Sequence, residues 1–190
     1  MNAVKVGFAM CGSFCTFSRA FEQAGRLRGM GAAVTPVMSF NASSLDTRFG
    51  KAADNVAKLE ELCGSKAILT LEDAEPIGPK GMFDIYVICP CTATTMGKLA
   101  NAIYDTPVTL GAKSHLRGGR PVLIALSTND GLSGSAENIG KLLNRKHVYF
   151  VPFGQDDPAK KPRSLQADFA LLGETVEAAL RGEQLQPILR

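Results

Sequence analysis

Short apolar runs alternate along this chain with stretches whose apolar residues recur every three or four positions. Residues 4–10 form the first run, and Gly12-Ser13 breaks it. Residues 16–30 follow, with Phe17, Ala20, Phe21, Ala24 and Leu27 at helical spacing. Gly29 and Gly31 end that helix. Residues 33–38 predict a second strand, with residues 39–44 as the loop at its end. Residues 52–63 predict a helix, 67–70 a short strand, and 72–81, carrying Pro76, Gly78, Pro79 and Gly81, a loop. Residues 85–89 predict a buried third strand and 94–104 its helix. The pattern then gives an apolar run at 121–127, a loop at 128–134, a helix over 136–143 and a last strand at 148–153. A polar segment, 154–162, leads to a C-terminal helix over 164–181, with Ala170, Leu171, Val176 and Leu180 facing inward.

Strand and helix alternating at this spacing define an α/β chain. The expected architecture is a single Rossmann-like (flavodoxin-like) domain spanning 1–190. Its parallel sheet has helices on both faces, and residues 154–190 serve as a loop plus closing helix. In such sheets ligands sit at the loops that leave the carboxyl ends of the strands.

Composition narrows the function. With 190 residues, 45% hydrophobic and 21% charged, the chain has the make-up of an ordinary globular protein. A net charge of +3, spread along the chain, gives no footprint for nucleic acid. No apolar run approaches the roughly 20 residues of a membrane-spanning helix. The N-terminal residues pass straight into a strand, leaving no room for a signal peptide, so a cytoplasmic protein is expected. Five cysteines, an odd number, fit reduced thiols better than a disulfide framework. The two histidines, His115 and His147, lie beside no cysteine, so no metal site is expected and both read as structural.

The densest chemistry lies in residues 90–101. A strand that breaks at Pro90 and opens a helix with Thr92, Ala93, Thr94 and Thr95 gathers hydroxyls and free backbone N–H groups at one helix start. One hydroxyl suffices for a cap; three exceed that need and suit a ligand. Cys91 beside them reads as a small packed residue or as a thiol influenced by the helix start. Lys98, one turn along, either reaches a neighbouring protomer or is solvated. At the first loop, Gly12 permits close backbone approach and Ser13 can donate to a phosphate; the alternative is a plain strand-to-helix turn. Ser39, Asn41 and Ser43 end the second strand, as ligand contacts or as loop polarity with a cap. Thr128, Asn129 and Ser133 give the loop after residue 127 its donors, and the alternative there is a flexible surface loop. Lys160, Lys161 and Arg163 form the single basic cluster, solvated or binding a dianion. Polar loops from successive strand–helix units are thus expected to meet at one rim and hold a negatively charged small molecule.

Residues Pro90-Cys91-Thr92-Ala93-Thr94-Thr95, Lys98, Ala100, Asn101 and Asp105 resemble the P-A-S/T-A-N-T-x-x-K-x-A-x-G-x-x-D motif of the homo-oligomeric flavin-containing cysteine decarboxylases. Cys11-Gly12-Ser13 resembles their phosphate loop, and Asn129 stands at the asparagine of their P-x-M-N motif. The resemblance implies FMN bound by Gly12, Ser13, Phe14, Ser39, Asn41, Pro90, Thr92, Ala93, Thr94 and Thr95, in a homo-oligomer. Those decarboxylases carry an active-site histidine before the third major strand, where this chain has Glu75-Pro76-Ile77-Gly78-Pro79; Thr94 replaces their catalytic asparagine. A prolyl ring cannot titrate near neutrality, which argues against cysteine decarboxylation.

Residues 125–132, 147–158 and 160–165 are similar to a narrower family, the B subunits of dipicolinate synthases. That resemblance implies a partner, the A subunit of the synthase, with a nicotinamide-nucleotide fold supplying NAD(P), and a small dicarboxylate as substrate. The pair would oxidise dihydrodipicolinate, or its hydroxylated tetrahydro precursor, to dipicolinate in the mother-cell cytoplasm during spore formation. Lys98, Ser127, Thr128, Asn129, Lys160, Lys161 and Arg163 are then the candidates for substrate or partner contact, and no catalytic residue is assigned. Two alternatives are a non-catalytic flavin- or substrate-binding module supporting that partner, and a flavin-modifying transferase of the same fold.

Overall fold

The computed structural model describes Met1 and residues 3–190; Asn2, within the N-terminal segment expected to lead into the first strand, lies outside the described residues. In chain order the elements are β1 (Lys5–Met10), α1 (Phe17–Gly29), β2 (Ala33–Met38), α2 (Phe40–Ser44), α3 (Ala52–Cys63), α4 (Leu71–Ala74), β3 (Ile85–Cys91), α5 (Ala93–Ala100), α6 (Pro107–Arg117), β4 (Val122–Thr128), α7 (Ala136–Leu143), β5 (Val148–Phe150), β6 (Phe153–Gly154), β7 (Leu165–Ala167) and α8 (Leu172–Leu180). Short 3₁₀ turns sit at Phe14–Thr16, Glu75–Ile77 and Phe169–Leu171.

The sheet runs β2-β1-β3-β4-β7-β6, with β5 also pairing β4. Strands β1 to β5 are parallel to one another where they pair. Strands covered on both faces read as unbroken apolar runs, and β3 is buried at every position. α1 packs on α3 and α8, and α5 packs on α6 and α7, forming the layers that cover the sheet. The strand order reverses at β1, with β2 on one side and β3 on the other. The loops leaving β1 and β3 therefore diverge and open a crevice.

The expected α/β sheet is present, with corrections at its margins. It is mixed rather than wholly parallel, because β7 runs antiparallel to both β4 and β6. Residues 164–181 do not form one helix. Leu165 and Ala167 are buried while Gln166 between them is half-buried, a strand alternation, and the helix starts only at Leu172. Residues 148–153 divide into β5 and β6. Residues 39–44 hold a short helix rather than a loop, capped by Ser39 Oγ accepting from Ala42 N at 3.3 Å. The region 72–81 carries α4 and a 3₁₀ turn. Residues 67–70 contribute only the bridge between Ile68 and Val37. The helix expected over 94–104 ends at Ala100, and α6, unassigned by the apolar pattern, follows with a Thr106–Thr109 capping box.

β4 shares one edge between two partners. Its first three residues pair with β5, and Ser127 and Thr128 pair with Gln166 and Leu165 of β7. Residues 164–167 are thereby carried to the carboxyl end of the sheet, beside the crevice.

Candidate functional site

Four strand ends build the crevice. At the end of β1, Cys11 N donates to Pro90 O at 3.2 Å, tying this loop to β3. Gly12 follows, and the Ser13 hydroxyl shares a 3.0 Å hydrogen bond with that of Ser127, at the end of β4. Thr16 Oγ1 donates to Ser13 O at 2.8 Å and closes the turn. At the end of β3, Thr92 caps α5 by accepting from Thr95 N at 3.3 Å. Thr95 Oγ1 donates to the Cys11 sulfur at 3.2 Å, so this hydroxyl is engaged internally. At the end of β4, Thr128 and Ser135 hydroxyls both bond the Asp130 carboxylate, which fixes the loop. Ser164 Oγ donates to Thr128 O at 3.1 Å, and Gln166 Nε2 reaches Ser127 Oγ at 3.4 Å.

Two cavities open here. The larger, about 810 Å³, is lined by Gly12, Ser13, Phe14, Thr92, Ala93, Thr94, Ser127, Thr128, Asn129 and Lys161 among the residues singled out in the sequence. The smaller, about 270 Å³, is lined by Gly12, Ser39, Asn41, Thr92, Thr94, Thr95 and Lys98. Gly12, Thr92 and Thr94 belong to both, forming the ridge between them. A Cβ built on Gly12 would stand 3.4 Å from the Phe14 ring and 3.6 Å from Asn41 Cβ.

Other residues fall elsewhere. Pro90 is buried within β3 and contributes its carbonyl to the β1 loop. Lys98 is paired with Asp105 at 2.7 Å, and its ammonium holds the Asp105 carboxyl below its usual range. The basic cluster splits: Lys161 lines the larger cavity, paired with Asp156 at 3.0 Å, whereas Lys160 and Arg163 do not line it. The Asp156 carboxylate holds the Lys161 ammonium above its ordinary value. Cys91 is fully buried, and burial pushes its thiol well up rather than letting the helix start lower it. The packed reading of Cys91 is the one that fits. His115 is buried on α6, its imidazole pushed down to about 4 by burial, with Nε2 at 3.1 Å from Pro121 O. No histidine lines either cavity among the described residues.

The larger cavity also contains Cys15, Arg19, Arg48, Phe49, Asp156, Ser164 and Gln166, which the sequence did not single out. Arg19 had one available signal, its place on the first turn of a helix that follows a Gly-Ser loop. Arg48 and Phe49 had none. They form the tip of a tight turn in which Thr47 and Gly50 exchange backbone hydrogen bonds at 3.0 and 3.1 Å. Gly50 takes a φ of 136° there, a conformation that side-chain-bearing residues rarely adopt.

A largely parallel sheet, a Gly-Ser turn after β1 and a threonine-rich helix start after β3 define a Rossmann-like α/β class of protein. The chain belongs to the flavoprotein family, whose profile matches residues 1–164. It is 48% identical to the B subunit of dipicolinate synthase from Bacillus subtilis (strain 168) over 189 residues, covering 100% of this chain and 94% of that protein. The crystal structure of the dipicolinate synthase B subunit from Bacillus halodurans superposes with a TM-score of 0.91 at 44% identity, covering 100% of this chain and 98% of that one. The FMN-dependent cysteine decarboxylase SpaF shares the fold, with a TM-score of 0.68 at 21% identity and coverage of 94% and 95%.

Proposed function

We propose that this chain acts as the B subunit of a dipicolinate synthase. With the nicotinamide-dependent A subunit of the synthase, it oxidises dihydrodipicolinate, or its hydroxylated tetrahydro precursor, to dipicolinate in the cytoplasm of a sporulating mother cell. The observation that carries this reading is the 48% identity over 189 residues, covering 100% of this chain. The reaction is a two-electron oxidation drawn forward by aromatisation of the ring. Two hydrogens leave the dihydropyridine, the hydride to the nicotinamide of the partner and the proton to solvent; from the hydroxylated precursor one water is eliminated as well.

The residues of the crevice fit a flavin mononucleotide. Hydroxyls of Ser13, Ser39, Thr92 and Thr94 and the glycine ridge at Gly12 suit a phosphate and a flat ring, and a cavity of about 810 Å³ beside one of about 270 Å³ accommodates both. Ser13, with Ser39 and Asn41 across the Gly12 ridge, would hold the phosphate side, and Phe14, Thr92 and Ala93 the ring side. A bound flavin would supply a two-electron acceptor. This chain's own side chains bind, orient and shield, since the larger cavity is lined by hydroxyls, amides and cations rather than by a free acid or base.

That same lining favours a second reading, in which the chain is a non-catalytic module that presents substrate or flavin to its nicotinamide-dependent partner. Turnover by the partner in isolation, compared with the reconstituted pair, decides between them. The main reading expects NAD(P)-linked dipicolinate formation only from the pair. Full activity from the isolated partner would remove this chain from the chemistry.

A further inference from the structure

The larger cavity is charged in an uneven way. Arg19, Arg48 and Lys161 face it, and Asp156 is the sole carboxylate in its lining among the described residues. Asp156 is engaged by Lys161 at 3.0 Å. Neither Arg19 nor Arg48 has a carboxylate partner among the described residues. Two positive charges are thus in excess, both on guanidinium groups.

Each guanidinium is held by an aromatic ring rather than by an anion. Arg19 lies over Phe169, 5.3 Å from the ring centroid, and Arg48 lies over Phe49 at 4.9 Å. Stacking on a ring face orients the planar fork and leaves its N–H edge available for a carboxylate. The two come from different elements. Arg19 sits on the first turn of α1, and Arg48 sits at the tip of the cross-bonded turn between α2 and α3. Asp46 Oδ1 accepts from Ala52 N at 2.9 Å and Thr47 Oγ1 from Phe49 N at 3.1 Å, so the turn that carries Arg48 is braced at its base.

We infer that Arg19 and Arg48 form a two-point clamp for a small ring dicarboxylate, one guanidinium to each carboxylate, with Phe49 beside the ring. This rests on the synthase reading and deepens it by naming the residues that select the substrate class. The excess of two positive charges matches the dianion, and two guanidiniums carried on separate elements suit two carboxylates rather than one. Lys161, neutralised by Asp156, shapes the wall; Lys160 and Arg163 stay outside.

Calorimetric titration of dipicolinate in metal-free buffer, into the isolated chain and into its complex with the synthase partner, tests the clamp. Picolinate, with a single carboxylate, serves as the comparison ligand. The wild type is expected to prefer dipicolinate. Arg19→Met and Arg48→Gln should each weaken dipicolinate about ten- to a hundredfold and abolish its advantage over picolinate, while Arg48→Lys recovers part of it. Arg117→Met, on the far end of α6, should bind like the wild type. FMN uptake, followed by fluorescence quenching, reports on folding and on the other candidate anion: the variants should take up FMN normally. Equal loss of FMN and dipicolinate binding would assign the arginines to the flavin phosphate and overturn the clamp. So would unchanged dipicolinate binding in both variants, or no dipicolinate binding by wild type in either form. Activity of the partner without this chain would instead defeat the synthase reading, and leaves the titration result standing by itself.

Discussion

Ser13 and Ser127 share a 3.0 Å hydrogen bond between side chains that lie 114 residues apart in sequence. The contact joins the turn after β1 to the end of β4, across β3. Gln166 and Thr16 reach the same pair of hydroxyls, at 3.4 Å to Ser127 and 3.2 Å to Ser13. The turn after β1, the end of β4 and β7 are therefore one hydrogen-bonded unit. Ser13→Ala is expected to destabilise the chain by only about 1 kcal/mol, as for a part-buried bond. It should weaken FMN uptake more, by roughly tenfold, since a hydroxyl bound to a phosphate makes a charge-assisted bond. Parallel denaturant and FMN titrations check this; a stability loss without loss of uptake contradicts it.

Gly111 lies within α6 where it crosses β3. A Cβ there would stand 2.7 Å from Tyr86 Oη and 2.9 Å from Ile77 Cδ1, and both side chains are fully buried. Alanine gains about 1 kcal/mol over glycine in a helix. Overpacking a core costs about 1–3 kcal/mol, and here the collision is with a ring fixed on the sheet, so the cost wins. Gly111→Ala should lower the thermal midpoint, whereas alanine at Gly140 on α7, which has open space around it, should not.

His115 gives stability a pH slope. Its imidazole is pushed down to about 4 in the folded chain, against 6.5 when solvated. Between those values the unfolded chain binds the extra proton, so stability is full above the upper value and is lost as pH falls through the lower one. About 2 kcal/mol should disappear between pH 7 and pH 5. Urea unfolding of wild type and His115→Gln at both pH values measures it, and the variant should show a shallower fall. An identical fall in both would assign the slope to other groups.

Of the five thiols, only Cys15 is exposed, and it lines the larger cavity. A thiol-reactive chromophore should titrate one fast cysteine in the native chain and none in Cys15→Ser. Saturating FMN or dipicolinate should slow the reaction of Cys15 if either fills this cavity. Several fast thiols would contradict the burial of Cys11, Cys63, Cys89 and Cys91.

The strands of the parallel core were legible because they are covered on both faces, so their residues must be apolar in sequence. The two loops with hydroxyls next to a strand end, at Ser13 and Thr92, were legible for the same local reason. α6 was not, because its inward face includes Thr109, Ser114 and His115, polar residues that break the apolar repeat. Its Thr106-Pro107 start carried the signal that periodicity lacked. β7 was read as helix because Leu165 and Ala167 are too few to show a period of two, and its pairing partners lie 39 residues back at Ser127. Lys160, Lys161 and Arg163 are neighbours in sequence, yet only Lys161 turns toward the cavity. Arg19 and Arg48 are distant in sequence and meet there, which no local pattern could reveal.

The match to the wider family ends at residue 164, one position before β7 begins. The strand that docks against Ser127 and Thr128 lies beyond that match, and it packs closely on Gly131, where a Cβ would come within 2.7 Å of Leu165. A side chain at Gly131 would push this brace off the end of β4 and, through Ser164 and Gln166, redraw one wall of the larger cavity.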